Sequence, residues 1–172
     1  MKVLKKQTNS KMCIICGMDN ELGVKAPFYE MEDNSVVSVF KYKEVHQSYP
    51  GRVHGGMITS MLDEIAARAI WITHPDIWGV TINLNIKYRR PVPYDETLYA
   101  IGRIIDDKSR TFKGVGVIEN EQGEILAEVE AAYMKLPLDK ISDVSHDEIN
   151  VYVPDTITEI NHIFKISNFY KN

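Results

Sequence analysis

An aspartate in the middle of a predicted helix is the first candidate for chemistry in this sequence. Apolar residues recur with helical spacing over residues 57–70, and Asp63 falls among them with small neighbours, Ala66 and Ala67, one turn away. Aspartate has a poor helix propensity and prefers caps, so this position needs a reason. One hypothesis is a carboxylate in a close-packed cleft, where burial raises its pKa and makes it a usable base near neutral pH. The alternative is a solvated surface acid.

Two glycines at the start of the same helix are the second candidate. Gly55 and Gly56 follow His54, and the first-turn amides of a helix have no partners within the helix. Such amides bind anions or a developing oxyanion, helped by the helix dipole. The alternative is a tight turn that needs glycine. An oxyanion donor at the helix start and the carboxylate of Asp63 two to three turns further along would define a site for acyl transfer.

Three other reactive side chains have simpler interpretations. Glu64 has Arg68 four residues later, an order that predicts an exposed helix salt bridge. The two cysteines, Cys13 and Cys16, lack the second ligand pair that a structural zinc site usually needs. They are interpreted as small packing residues, with a zinc ion shared across a dimer or a redox dithiol as alternatives. No metal site is therefore predicted.

One helix and a series of strands must position these residues. The helix is predicted from His54 to about Thr73, before Pro75, and a strand is predicted over 35–43. Apolar and polar residues alternate one by one over 80–88, which is typical of a half-buried strand. Further strands are predicted at about 97–106, 111–119 and 124–136. One strand, a central helix and then an antiparallel meander of four strands make an α+β fold.

The two ends of the chain and one face of the sheet complete this plan. Residues 1–34 are rich in turn signals, and a short helix is predicted over 154–161. The alternation places Thr81 with Asn83 and Asn85 on a sheet face too polar for a second core. Pairing with another subunit is predicted to close this sheet.

Composition excludes several classes of protein. The chain has a formal net charge of -4 and no arginine-rich stripe, so it lacks the electrostatic footprint for nucleic acid. Its uninterrupted apolar runs are far shorter than the roughly 18 residues that a membrane span needs. The lysine-rich start over residues 1–10 has no apolar stretch behind it, so no signal peptide and a cytoplasmic location are predicted.

Three motifs together resemble one family. The run from His54 to Asp63, His-Gly-Gly-Met-Ile-Thr-Ser-Met-Leu-Asp, resembles the His-Gly-Gly…Asp signature of hotdog-fold acyl-CoA thioesterases, in the phenylacetate-pathway and human thioesterase-superfamily branch. The strand over 80–93, which ends in Arg-Arg-Pro-Val-Pro, is similar to the family's strand after the central helix. The segment over 13–23 resembles a Cys-x-x-Cys-Gly…Asn…Gly lead-in found in part of this group. The resemblance covers about residues 12–136.

This resemblance implies a fold, a reaction and an assembly. The fold is a long helix wrapped by an antiparallel sheet, with a lead-in at 1–34, a hotdog thioesterase domain at 35–136 and a C-terminal extension at 137–172. The reaction is hydrolysis of acyl-CoA to free acid and coenzyme A, with no cofactor beyond the coenzyme A of the substrate. The assembly is a homodimer with a site at each interface, and in many members a homotetramer.

The resemblance also implies roles for individual residues. Asp63 matches the catalytic carboxylate, as general base or nucleophile, and the backbone amide of Gly56 matches the oxyanion donor. His54 is a further catalytic candidate, ranked below them because this histidine more often shapes the turn than transfers protons. Thr81 takes the place of a Ser or Thr that positions the water or the carboxylate, contributed by the partner subunit. Substrate contacts are expected from Gly55 and, at the coenzyme A phosphates, from Arg90 and more weakly Arg110 in the nearby loop.

One departure from the family pattern keeps alternatives open. Part of the family has an Asn six residues before the His of the glycine motif, and this chain has Ser48 there, beside Gln47. Either side chain could supply the hydrogen bond to the substrate. Two other functions remain compatible with the hotdog-fold resemblance. One is a non-catalytic acyl-CoA-binding module, and the other is a 3-hydroxyacyl thioester dehydratase.

Overall fold

In the part of the chain that the structure describes, a single α-helix lies against one face of a large antiparallel sheet. The computed structural model describes residues 1–144 and 150–162. The helix α1 spans Gly55–Arg68 and continues as a 3-10 turn over Ala69–Ile72. The strands are β1 (Val3–Lys6), β2 (Tyr29–Met31), β3 (Val36–Phe40), β4 (Gln47–Tyr49), β5 (Arg52–Val53), β6 (Trp78–Tyr88), β7 (Leu98–Asp107), β8 (Thr111–Asn120) and β9 (Ile125–Leu136). Short 3-10 turns also occur at Glu44–His46 and Leu138–Lys140.

The α+β prediction is confirmed, and so are the helix and the five strands predicted from the sequence. The seven-stranded sheet has the order β1-β2-β3-β7-β8-β9-β6, and β4 and β5 form a separate hairpin. The predicted meander of four strands is wrong for its first member. The strands β7, β8 and β9 form a meander, whereas β6 lies at the far edge and pairs with β9. Alternation identifies a strand, but its neighbours depend on pairing between distant parts of the chain.

The helix begins at a capped turn and packs closely on the sheet. The Nδ1 atom of His54 accepts a hydrogen bond from the Gly56 amide at 2.9 Å, which caps the first turn. The buried face of α1 contains Ile58, Met61, Leu62, Ile65 and Ala66. A side chain at Gly102 of β7 would place its Cβ 2.2 Å from the Ile65 carbonyl oxygen. The helix backbone therefore rests directly on the strand, which only glycine permits.

The N-terminal segment contributes to the sheet, in contrast to the predicted run of turns. The strand β1 pairs with β2, and β2 pairs with β3. The strands β1 and β2 have four and three residues, which is too short for a periodic pattern to be visible in the sequence. The division into 1–34, 35–136 and 137–172 stays a prediction.

The outer face of the sheet, opposite α1, is partly covered by the end of the described chain. Ile160 is buried there in a second apolar cluster with residues of β2, β3, β7 and β8. The short helix predicted over 154–161 is wrong, because residues 150–162 contain no helix. The segment is tied to the N-terminus by hydrogen bonds from the Val3 amide to the Thr158 carbonyl and from the Ile160 amide to the Met1 carbonyl, both 2.9 Å. The rest of the predicted extension, residues 145–149 and 163–172, lies outside the described residues.

The sequence predicts no membrane-spanning segment, and the described helices can be compared with that prediction. In residues 1–144 and 150–162, no helix has both the length and the apolar character needed to cross a bilayer.

Candidate active site

A cavity of about 220 Å³ opens between α1, β6 and the N-terminal segment. Asp63 and Thr81, two of the predicted catalytic residues, both line it. So do both cysteines, although the sequence analysis interpreted them as packing residues. The lining comprises Asn9, Ser10, Cys13, Cys16, Asp63, Glu64, Ala67, Arg68, Trp71, Trp78, Gly79, Thr81 and Asn150.

Asp63 is held by neutral hydrogen-bond donors. The Thr81 hydroxyl donates to both carboxylate oxygens, at 3.0 Å and 3.2 Å, and the Tyr133 hydroxyl donates to the Asp63 backbone carbonyl at 2.9 Å. Burial raises the pKa of Asp63 above its ordinary value, while the hydrogen bonds from Thr81 and Tyr133 oppose this shift. Within residues 1–144 and 150–162, Asp63 forms no ion pair. Its half-buried carboxylate is therefore oriented but not neutralised.

A β-bulge brings Thr81 to this carboxylate. The pairing of β6 with β9 shifts register between Thr81 and Asn83. Leu84 and Ile86 pack towards the core on the helix side, and Thr81 also reaches the helix across the bulge. Strict alternation would have put Thr81 on the polar outer face with Asn83, so that expectation is wrong. The resemblance implied a threonine from the partner subunit, whereas here Thr81 contacts the aspartate of its own chain.

Glu64 and Arg68 form the predicted pair, but the pair is not exposed. The Arg68 Nε atom lies 2.9 Å from a Glu64 oxygen, and the arginine side chain is only 7% exposed. Its guanidinium lies 4.2 Å from the centre of the Phe28 ring, and a second nitrogen donates to the Thr8 carbonyl at 2.9 Å. Burial acts to lower the pKa of Arg68, but the Glu64 charge, the Cys16 sulfur and the hydrogen bonds to both together raise it above its ordinary value, so Arg68 stays protonated. Helical spacing identified this pair, but burial by the N-terminal segment was not visible in the sequence.

The cysteines differ in exposure. Cys16 is buried at 2% exposure and belongs to the core, as the packing interpretation requires, whereas Cys13 is half-buried at the cavity wall. The Cys13 sulfur is 3.3 Å from a Glu64 carboxylate oxygen.

The glycine motif lies away from Asp63. Gly56 and Asp63 are seven residues apart on α1, which separates them by about 10 Å along the helix axis. No single thioester carbon can contact both groups in one chain. The expectation that the two groups form one site along a single helix is therefore wrong for an isolated chain. The Gly56 amide is also engaged by His54.

Other predicted binding residues cluster near the helix start. Gln47 and Ser48 are exposed on β4, whose partner β5 leads directly into α1. Arg90 borders an open groove shared with Gly55 and Tyr88, and it pairs with Glu124 at 3.5 Å. These residues form a group around the N-terminus of α1, separate from the cavity that contains Asp63.

Arg110 does not belong to this group. It precedes β8, and its carbonyl accepts a hydrogen bond from the Lys135 amide at 2.9 Å, beside the Trp78 end of β6. Arg90 follows the other end of β6, and the 11 residues of that strand separate its ends by roughly 33 Å. The expectation that Arg110 is near Arg90 is therefore wrong.

Sequence reasoning missed two aromatic residues at these sites. The Tyr88 hydroxyl lies 2.7 Å from the Thr59 hydroxyl and donates to the Gly55 carbonyl at 3.2 Å, so it joins β6 to the helix start. Tyr133 supports Asp63 from β9. Both appeared only as strand residues, since spacing within a strand does not reveal which helix turn lies opposite.

Comparisons with known proteins agree with this fold. The family model of the thioesterase superfamily matches residues 50–127. Human acyl-coenzyme A thioesterase 13 is 26% identical over 94 residues, 54% of this chain and 67% of that protein. A solved thioesterase superfamily protein is 27% identical, with a TM-score of 0.65 over 71% of this chain and 59% of the other. A hypothetical thioesterase from Streptococcus pneumoniae, solved with coenzyme A, is 22% identical, with a TM-score of 0.58 over 65% of this chain and 86% of that one.

The helix, the antiparallel sheet and the family match all indicate the hotdog-fold class of proteins. Residues 50–127 of this chain match the family model of the thioesterase superfamily, and the fold around them is the hotdog fold. The chain spans less than two thirds of the 27% identical solved relative.

Proposed function

We propose that this protein is a thioesterase that hydrolyses acyl-CoA to a free acid and coenzyme A, with the Asp63 carboxylate as the reactive group. The observation that carries this proposal is the position of Asp63. Its carboxylate lies in a cavity beside the central helix of a thioesterase-superfamily fold, bound by the Thr81 hydroxyl and not neutralised by a cation. The similarity to human acyl-coenzyme A thioesterase 13 supports coenzyme A thioesters as the substrate class.

The chemistry needs a group that activates water. As general base, the Asp63 carboxylate takes a proton from a water molecule, whose oxygen attacks the thioester carbon. The carbon–sulfur bond of the resulting tetrahedral intermediate then breaks, and the coenzyme A sulfur takes a proton. As nucleophile, the carboxylate would attack the carbon itself and displace coenzyme A as the thiolate, and water would then hydrolyse the resulting mixed anhydride to the free acid and regenerate the carboxylate. In this proposal neither route uses a metal ion or a prosthetic group.

Helix geometry supports a site shared by two chains. The negative oxygen of the intermediate needs a donor, and the Gly56 amide of the same chain is about 10 Å from Asp63 along the helix. Two antiparallel α1 helices related by a two-fold axis would bring Gly56 of one protomer to Asp63 of its partner. The edge strand β6 exposes Val80 at 38% and Ile82 at 55%, apolar surface that such a dimer could bury. The Gly56 amide would then exchange its bond to His54 for one to the substrate.

The group around the helix start would bind the coenzyme A moiety. Arg90, in the groove beside Gly55, is placed to contact a phosphate, and the exposed side chains of Gln47 and Ser48 lie on the hairpin that precedes the helix. Arg110, at the other end of β6, would reach the same substrate only from the partner subunit.

The test is release of free thiol from short, medium, long and aromatic acyl-CoAs. We expect Asp63→Asn to lower turnover by about 100- to 10,000-fold, the usual contribution of a general base, without loss of folding. The control is Asp139→Asn, which changes an exposed aspartate in the turn after β9 and should keep parental turnover.

Two results would contradict the proposal. Turnover by Asp63→Asn at the parental rate would remove Asp63 from the reaction. Binding of acyl-CoA without thiol release by the parent chain would identify a non-catalytic acyl-CoA-binding module.

A further inference from the structure

Two sulfurs and a carboxylate meet at one wall of the cavity. The ligand atoms of Cys13, Cys16 and Glu64 all lie within 4.8 Å of one another. The cysteines belong to the N-terminal segment and Glu64 belongs to α1, so the cluster joins two parts of the chain that are distant in sequence. The proposed hydrolysis by Asp63 uses none of these three groups.

The turn that contains the cysteines presents both sulfurs to the same side. The Cys13 sulfur accepts hydrogen bonds from the backbone amides of Ile15 at 3.3 Å and Cys16 at 3.5 Å. The Gly17 amide closes the turn on the Cys13 carbonyl at 2.8 Å. A side chain at Gly17 would place its Cβ 2.3 Å from that carbonyl oxygen, so the turn requires glycine. Backbone amides directed at a sulfur stabilise its thiolate form, the form that binds metals.

Glu64 supplies an oriented oxygen. One carboxylate oxygen is 2.9 Å from the Arg68 Nε atom, and the other is 3.3 Å from the Cys13 sulfur. With zinc–sulfur bonds of about 2.3 Å and zinc–oxygen bonds of about 2.0 Å, ligand atoms around a tetrahedral zinc ion are roughly 3.5 Å apart. The Glu64–Cys13 separation is close to that value. Carboxylate ligands are commonly oriented by a second residue, and Arg68 does this for Glu64.

The charges in the cluster also suit a divalent cation. With both thiols protonated, Glu64 and Arg68 cancel each other. Loss of the two thiol protons adds two negative charges, which one divalent cation balances. The net charge of this half-buried wall is therefore unchanged when two protons are exchanged for one ion.

We propose that Cys13, Cys16 and Glu64 bind one thiophilic divalent cation, with Zn²⁺ as the best match to two sulfurs and one oxygen. Binding forms two metal–sulfur bonds and one metal–oxygen bond, releases the two thiol protons to solvent and transfers no electrons. The fourth position would be taken by a water molecule or a ligand from the cavity that these residues line. The ion would fix the N-terminal segment against α1 beside Asp63.

This proposal replaces the prediction of no metal site. Sequence spacing placed only the two cysteines together, and it paired Glu64 with Arg68 in a surface salt bridge. A disulfide between the cysteines would need an oxidant and would make no use of the second Glu64 oxygen, which faces the Cys13 sulfur at 3.3 Å, so the geometry favours the metal.

The test is metal binding by the full chain, purified under reducing conditions and stripped with a chelator. We expect one Zn²⁺ per chain, protection of both thiols from alkylation, and thiolate charge-transfer absorption when Co²⁺ is used as the probe. Cys13→Ser and Glu64→Gln should each weaken Zn²⁺ binding by at least about 10- to 100-fold. Glu96→Gln, at an exposed glutamate between β6 and β7, is the matched control and should bind as the parent does.

These readouts do not depend on turnover, so failure here is distinct from failure of the proposed hydrolysis. Substoichiometric Zn²⁺ binding by the reduced parent, or unchanged binding by Cys13→Ser, would overturn the proposal. A chain that forms the Cys13–Cys16 disulfide but binds no Zn²⁺ would identify a redox dithiol and overturn it as well. Glu64→Gln leaves Arg68 without its partner, so if that variant does not fold, Cys13→Ser with a parental circular dichroism spectrum decides the question.

Discussion

Asp63 and Glu64 are consecutive residues of α1, yet they lie in two different environments at the cavity wall. On one side, the Asp63 carboxylate accepts a hydrogen bond from the Thr81 hydroxyl on β6, and the Asp63 backbone carbonyl accepts one from the Tyr133 hydroxyl on β9. On the other side, Glu64 forms an ion pair with Arg68 and contacts the Cys13 thiol. Both carboxylates are half-buried. Burial alone therefore does not distinguish their roles, and their partners do.

If Asp63 has the proposed role, α1 carries a reactive acid and a structural acid side by side. A carboxylate bound by neutral donors keeps its negative charge available to a substrate or a water molecule. A carboxylate beside a buried guanidinium is required to stabilise that cation, because an unpaired buried charge is costly. The Asp63 side of the cavity should therefore affect turnover, and the Glu64 side should affect stability.

The largest loss of stability is expected when the ion pair between Glu64 and Arg68 is removed. Arg68→Met removes the cation and leaves Glu64 and the Thr8 carbonyl without their partner. We expect the free energy of unfolding to fall by about 3 to 5 kcal/mol, measured by urea denaturation. The double variant Arg68→Met, Glu64→Gln should recover part of this loss, because no unpaired charge remains. A loss below about 1 kcal/mol in the single variant would show that the pair is not a structural anchor.

An intermediate effect is expected on the Asp63 side. Thr81→Val keeps the shape of the side chain but removes the donor to the carboxylate, so we expect turnover to fall about 10-fold, equivalent to about 1.4 kcal/mol. Thr81→Ser keeps the donor and should retain most of the activity. Stability, measured by the same denaturation, should change little because Thr81 is exposed in the single chain. If Thr81→Val destabilised the protein as much as Arg68→Met, the Asp63 side would also be structural, and the two sides of the cavity would not differ in role.

The smallest effect is expected outside the cavity, at a carboxylate that has cationic partners but is exposed. Asp107 pairs with Lys135 and lies 3.0 Å from the His74 ring. The hydrogen bond from Lys135 lowers the pKa of Asp107 below its ordinary value of 3.8, with a further contribution from His74. Since the folded pKa is the lower one, the stabilisation is present above the ordinary value and is lost as the pH falls through the lowered pKa.

Asp107→Asn should therefore lower the free energy of unfolding by less than about 1 kcal/mol at neutral pH, because solvent screens the pair. The difference from the parent should vanish in acid denaturation curves below the lowered pKa. Asp19→Asn, at an exposed aspartate in the N-terminal segment, is the control. A loss comparable with that of Arg68→Met would mean that exposure does not weaken an ion pair here.

The sequence predicted the large elements of the fold well and its small elements poorly. The helix and the strands β3 and β6 to β9 have periodic patterns long enough to be recognised. The strands β1 and β2 do not, and the segment 154–161, where a helix was predicted, contains no helix. In that segment, Asp155 pairs with Lys6 at 2.9 Å and with the Tyr29 hydroxyl at 2.7 Å. Contacts with distant residues decided this conformation over its local helix signals.

In the candidate site, too, some features follow from local sequence and others from tertiary contacts. The unusual position of Asp63 within a helix, the glycines at the helix start and the spacing of Glu64 and Arg68 are local features, and the sequence by itself determined them. Only the tertiary structure decided that a bulge brings Thr81 to Asp63, that Gly56 is too far away to act with Asp63 in one chain, and that Cys13 meets Glu64. The physical reason is that sequence spacing defines which residues share a helix face or a strand face. Register, strand order and the packing of the N-terminal segment depend on contacts between residues far apart in the chain.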